Sequence, residues 1–315
     1  MTGSGVAEPG AIDLGSSVVT DLLDRAVLPS AGTEVTCAVS GGADSLTLLV
    51  LAAAAGCSVT AVHVDHGLRA GSADEAHVVA AVAERVGARF RAERVVVEPG
   101  PNLEARARQA RYAVLPDGVL TGHTADDRAE TMVLHLLRGA GPTGMVGIRR
   151  SAQRPLLDLR RQQTVALCRE LSLVPVDDPS NRDPRFRRNR VRHQVLPLLG
   201  DIGESDPVPV LVRQADLFAE LDAFVADTAA GLDPTSAADL ASAPAAVAGA
   251  AVRAWLAAAG VGHGYPAEAA AVERVLAVAR RERVATEVLG GWRVARSHGR
   301  LSLTPPTPCK DAAHG

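Results

Sequence analysis

Ser40-Gly41-Gly42-Ala43-Asp44-Ser45 lies between the apolar runs Val35-Thr36-Cys37-Ala38-Val39 and Leu46-Thr47-Leu48-Leu49-Val50-Leu51. The order reads as a strand, a glycine turn and the start of a helix. Consecutive glycines let the backbone take positive φ and approach a ligand closely. Hydroxyls and unpaired amides at a helix N-terminus suit phosphate oxygens. Asp44 needs a separate reason, because a carboxylate beside phosphate is repulsive unless a cation lies between them. It therefore suggests Mg2+ next to the anion site. The stretch lacks the Gly-Lys-Ser/Thr ending of a Walker loop and the spacing of the dinucleotide fingerprint.

Around this loop, short β-branched runs alternate with helical patterns, as a doubly wound, mostly parallel α/β sheet requires. Strands are expected at 34–39, 58–64, 90–97 and 118–122, with helices at 45–55, 73–86, 102–115 and 125–137. In such sheets ligands bind beyond the carboxyl ends of the strands. Ser40, the segment Asp65-His66-Gly67-Leu68-Arg69 and the segment Thr121-Gly122-His123 all fall there. Composition shifts after Gly200, through the Pro- and acid-containing stretch 201–209, to Ala/Leu/Val helices. The expected division is thus a nucleotide-loop domain at 1–200, then a bridging helix and a small helical domain with a terminal hairpin at 201–315.

A chain of 315 residues with 47% apolar content is long enough for two domains and too apolar for disorder. No leader or membrane span is legible, so a cytoplasmic location is expected. Cys37, Cys57, Cys168 and Cys309 are scattered without a Cys-x-x-Cys pair, which fits buried thiols better than disulfides or zinc. The formal net charge of -3 gives no global case for a nucleic-acid partner. The local case is the crowding of Arg182, Arg185, Arg187, Arg188, Arg190 and Arg192, opposed only by Asp183. Such a block is either a solvated face or a phosphate contact.

In the segment 123–131, Asp127 and Glu130 form an i, i+3 acid pair beside a core stripe of Ala129, Val133, Leu136 and Leu137. The pair either complements the helix dipole or, with Asp44, serves a cation in one cleft. Arg106, Arg108 and Arg111 share the short helix that Asn102 begins, and His63 ends an apolar strand.

With these motifs in hand, the loop resembles the pyrophosphate-binding loop of the N-type ATP pyrophosphatases, or PP-loop proteins. The ordered set is Ser40 to Ser45, His63 to Arg69, Asn102 to Tyr112, Thr121 to Thr131, Leu137 to Gly141, Asp178-Pro179-Ser180-Asn181 and Arg188 to Pro197. It resembles the tRNA(Ile)-lysidine synthetases over about the first two hundred residues. Asp65 stands where that family more usually has Asn.

The resemblance implies a ligase that converts the wobble cytidine of isoleucine tRNA (CAU anticodon) to lysidine with ATP and free L-lysine. It proceeds through an adenylated tRNA and releases AMP and pyrophosphate. It implies ATP contacts from Ser40, Gly41, Gly42, Ala43, Asp44, Ser45 and His63, with Asp44 on Mg2+ or near the incoming amine. Asp127 and Glu130 would hold the lysine ammonium, one of them taking its proton. Arg106 or Arg111 would pair with phosphate or carboxylate, and Arg188, Arg190 and Arg192 with tRNA phosphates. A homodimer is left open and no membrane partner is expected. The rival readings are a thiolase-like tRNA-modifying enzyme on the same scaffold, and a non-catalytic RNA-binding protein with a relic nucleotide site.

Overall fold

In the first unit of the computed structural model, β1 (Glu34–Ala38) pairs in parallel with β2 (Ser58–Asp65), from Glu34 opposite Ser58 to Ala38 opposite Val62. β3 (Arg89–Arg94) extends the sheet beyond β2, and the short β4 (Leu120–Thr121) lies on the other side of β1. The order is β3-β2-β1-β4, parallel throughout. Parallel neighbours need crossover helices, and the sequence supplies them in alternation. Residues 10–65, 67, 72–96, 106, 110, 112–262 and 267–306 are described. The His66, Arg69, Arg108 and Arg111 readings, and Cys309, lie outside them.

Helix α1 (Ser17–Leu23) precedes the sheet and α2 (Ala43–Ala54) follows β1. Every residue of α2 from Ser45 to Ala52 is buried, which explains its apolar character on all sides. Its leucines form the main core with Cys37, Val39, Val59, Ala61, Leu156 and Leu159. α3 (Ser72–Arg85) leads to β3, whose alternating charges Arg89, Arg91 and Glu93 mark an exposed sheet edge.

After β4 comes α4 (Ala125–Leu136), then the single turn α5 (Pro142–Met145) and α6 (Arg161–Glu170). Ala129 and Val133 are buried against Val191, Leu196 and Val208. The expected core stripe ends there. Leu136 and Leu137 are exposed, because the last turn of α4 runs past the residues that cover its first two. The arginine-rich segment forms α7 (Arg187–Arg190), a π-turn at Val191–Val195 and α8 (Leu196–Ile202).

The chain divides into two compact units, Met1–Asp216 and Leu217–Gly315. That division falls within α9 (Pro207–Ala230), after the composition shift at Gly200. The second unit continues with α10 (Ala237–Ser242), α11 (Ala245–Ala258) and α12 (Ala269–Ala279), then β5 (Ala285–Glu287), β6 (Arg293–Ser297) and β7 (Arg300–Thr304) in an antiparallel sheet. Its core joins Leu240, Val252, Leu256 and Val275 to Val294 and Leu301. The hairpin turns at His298-Gly299, as its polar-glycine pair suggests. Among the described residues no helix is long and apolar enough to cross a membrane.

Candidate active site

The loop after β1 is fixed from within and left open on one face. Gly41 has φ +87°, and a Cβ there would stand 2.7 Å from the Val176 side chain; its carbonyl accepts the Val176 N–H at 3.0 Å. Only glycine satisfies both the conformation and the contact. Ser45 Oγ donates to the Gly42 carbonyl at 2.9 Å and accepts the Ser40 N–H at 3.2 Å, closing the turn on itself. A Cβ on Gly42, by contrast, would find nothing nearer than Ser40 Oγ at 3.9 Å. The amides of Gly42, Ala43 and Asp44 precede the first intrahelical bonds, which Ser45 and Leu46 make to the Gly42 carbonyl. An open glycine face with amides at the start of a buried helix fits a polyphosphate.

Asp44, in the first turn of α2, faces two other elements. Its carboxylate accepts from Thr164 Oγ1 and, at 3.2 Å, from Arg161 Nε, both from the first turn of α6. Arg161 Nη2 donates to Asp127 Oδ1 at 2.8 Å and its Nη1 to Glu130 Oε1 at 2.7 Å. The expected convergence of Asp44, Asp127 and Glu130 is therefore present, and a guanidinium lies among them. From the arginine-rich segment, Arg188 Nε reaches Glu130 Oε2 at 2.7 Å and its Nη2 reaches Asp127 Oδ1 at 3.1 Å. Arg192 adds bonds to both Glu130 oxygens at 2.7 and 3.1 Å.

Three carboxylates thus meet three guanidiniums. Glu130 is fully buried, and the side chains of Asp127 and Asp44 are 11% and 23% exposed. Burial alone would raise all three carboxyls. For Asp127, Arg161, Arg188 and the Thr124 amide outweigh burial and hold it below the ordinary 3.8. For Glu130, Arg192 and Arg161 do the same against an ordinary 4.5. At Asp44 burial wins over Arg161 and Thr164, and its pKa is raised.

This geometry changes two expectations. Arg188 and Arg192, expected on tRNA phosphates, turn inward onto Glu130 and Asp127; of the expected three only Arg190 is exposed, its Nε on Gln194 Oε1 at 3.3 Å. The physical reason is that a buried carboxylate pair needs counter-charge, and these two arginines lie about one turn apart on the face toward α4. Glu130, expected to hold the lysine ammonium, is already enclosed by guanidiniums.

Asp44 also fits Mg2+ poorly as it stands, since its two oxygens are taken by Arg161 and Thr164. Among the described residues no three His, Cys, Asp or Glu side chains converge as a metal site. His63 is buried, its Nδ1 on the Val39 carbonyl at 3.0 Å and its Nε2 without a hydrogen-bond partner. Arg106 likewise has Nε and one Nη buried without partners. Asp65 accepts the Gly67 N–H at 2.8 Å, a turn that requires only an acceptor oxygen, so Asp in place of Asn preserves it.

Arg161 escaped the sequence reading altogether. The available signal was a pair of arginines, Arg160-Arg161, at a helix start, where cations oppose the dipole and so call for acidic partners. Cys37 and Cys168 do not supply thiolates, because burial pushes their thiols up to about 12 and about 11.

A parallel sheet whose β1 ends in an open glycine loop, facing acids that follow β4, defines a PP-loop nucleotide-using domain. The family model for the PP-loop domain matches residues 17–199. The tRNA(Ile)-lysidine synthase of Nocardia farcinica is 41% identical over 302 residues, covering 88% of this chain and 93% of that one. The tRNA(Ile)-lysidine synthase of Salinispora arenicola is 39% identical over 312 residues, covering 89% and 93%. That of Corynebacterium glutamicum is 44% identical over 200 residues, covering 61% and 63%. The chain belongs to the tRNA(Ile)-lysidine synthase family.

Proposed function

We propose that this chain ligates L-lysine to C2 of the wobble cytidine of isoleucine tRNA, with cleavage of ATP to AMP and pyrophosphate, and does so in the cytoplasm. The observation that carries the reading is the open loop Ser40–Ser45 beside the acid–guanidinium cluster of Asp44, Asp127 and Glu130. The C2 oxygen of cytosine is a poor leaving group, so it is first adenylated by ATP with loss of pyrophosphate. The ε-amine of lysine then attacks C2, and AMP leaves with the former C2 oxygen. The loop amides and the hydroxyls of Ser40 and Ser45 hold the triphosphate, and the buried nitrogens of His63 and Arg106 that lack a partner are assigned to the same ligand by the family resemblance alone.

Lysine arrives as an ammonium and must lose a proton before attack. Asp44 and Asp127, whose side chains are 23% and 11% exposed against none for Glu130, are its contacts in this reading, each exchanging an arginine bond for the ammonium. Asp44, whose basicity burial raises, is the better proton acceptor; Asp127 and Glu130 are held acidic by their arginines. Mg2+ accompanying the nucleotide would draw its ligands chiefly from phosphate oxygens. Asp44 joins it only by releasing Arg161 or Thr164, so none of these steps is routed through the metal. Arg190 and its exposed neighbours contribute phosphate contacts to tRNA.

A tRNA-dependent release of pyrophosphate, followed by lysine-dependent release of AMP, tests the reading. A non-catalytic RNA-binding protein would give neither. The scattered, protonated cysteines disfavour a thiolase-like chemistry. A homodimer would be tested by its mass in solution.

A further inference from the structure

The geometry points to Arg161 as a positioning residue that locks the loop carboxylate Asp44 to the α4 carboxylates Asp127 and Glu130, so that adenylation and lysine attack share one fixed frame. This rests on the functional reading above. Each of its three nitrogens takes a different partner: Nε on Asp44 at 3.2 Å, Nη2 on Asp127 at 2.8 Å and Nη1 on Glu130 at 2.7 Å. No other side chain joins these two groups of acids among the described residues; Arg188 and Arg192 reach only Asp127 and Glu130.

The root of Arg161 is pinned as well. Its own N–H donates to Asp126 Oδ2 at 2.8 Å, and Arg160 Nε donates to the same carboxylate at 3.0 Å. The adjacent acids Asp126 and Asp127 of α4 thus hold the backbone and the side-chain tip of one arginine. A planar guanidinium can satisfy three acceptors in fixed directions, whereas an ammonium on a flexible stem supplies charge without that geometry.

The test compares Arg161→Lys and Arg161→Gln, following adenylated tRNA and lysidine separately, with KM for lysine and kcat resolved. Arg161→Lys is expected to keep KM for lysine within about threefold while kcat for lysine transfer falls at least about tenfold. Arg161→Gln is expected to lose both. Restoration of kcat by Arg161→Lys would overturn the role, since charge alone would then suffice. Because a lowered kcat can also follow from poor folding, the double variant Asp44→Asn/Arg161→Gln is compared with Asp44→Asn. A positioning role predicts that the second substitution adds little, and fully additive losses would overturn it. Normal lysine transfer by Asp44→Asn alone would instead refute the site reading on which the role depends.

Discussion

Gly122 lies so close to Asp44 that a Cβ on it would stand 2.7 Å from the Asp44 carbonyl oxygen. The turn after β4 therefore presses on the first turn of α2, and the acid-bearing helix α4 starts from that contact. Both partners are backbone, which cannot rotate away. Gly122→Ala is expected to displace Asp44 and to cost about 1 to 3 kcal/mol in stability. Tenfold or greater loss of AMP release, with a lowered melting temperature, is the expected result; wild-type values for both would show that the contact is not limiting.

Asp44→Asn is expected to lower AMP formation about a hundredfold, to a rate still measurable, without unfolding the chain. The pKa of Asp44 is raised in the folded state, so its contribution to stability is present below the ordinary 3.8 and is lost as pH rises through the folded value. At neutral pH the charged carboxylate therefore opposes folding, and the amide removes that opposition. Thermal melting at pH 7 should give an unchanged or higher midpoint. A clear fall in the midpoint would contradict this balance.

Glu130→Gln should act in the opposite sense. It removes the buried carboxylate shared by Arg161, Arg188 and Arg192, leaving Arg192 without an acid partner and two carboxylates against three guanidiniums, at a cost of about 3 to 5 kcal/mol. Asp127 and Glu130 have depressed pKa values, so their stabilisation is complete above the ordinary 3.8 and 4.5 and is lost as pH falls through the lower folded values. Wild-type stability should fall on acidification below about pH 4.5, and the Gln variant should fall less steeply. Parallel urea melts at several pH values would decide, and equal slopes would remove Glu130 from that balance.

In the proposed function the exposed Arg187 and Arg190 meet tRNA phosphates, while Arg188 and Arg192 are held on Glu130 and Asp127. Replacing Arg187 and Arg190 together by Ala should flatten the salt dependence of tRNA binding by up to about 0.9 log units for each phosphate left without its cation, with ATP use intact. Replacing Arg188 and Arg192 should instead damage lysine transfer. An unchanged salt slope in the first pair would make the exposed row an ordinary solvated face.

The strands, the loop and the acids were legible in the sequence because each is specified locally: β-branched runs, two glycines at a helix start, an i, i+3 carboxylate pair. The boundaries of β1, β2, α2 and α4 lie within two residues of those read from the pattern. What the pattern could not give was partnership across the chain. Arg161 and Asp44 are 117 positions apart, and nothing local announces their bond. The arginine block was legible as charge but not as direction, since inward and outward arginines differ only in the helix face they occupy. Leu136 and Leu137 kept the core periodicity after the core itself had ended.

In the proposed function the loop, the acids and their arginines all bear on one reaction, the replacement of the C2 oxygen of the wobble cytidine. It is read directly by mass analysis of that nucleoside after the protein is incubated with isoleucine tRNA bearing a CAU anticodon, ATP and L-lysine. The expected product is a wobble nucleoside heavier by one lysine less one water, formed only when both ATP and lysine are present. An unmodified cytidine from folded protein that binds tRNA, or the same product without ATP, would contradict the proposed chemistry.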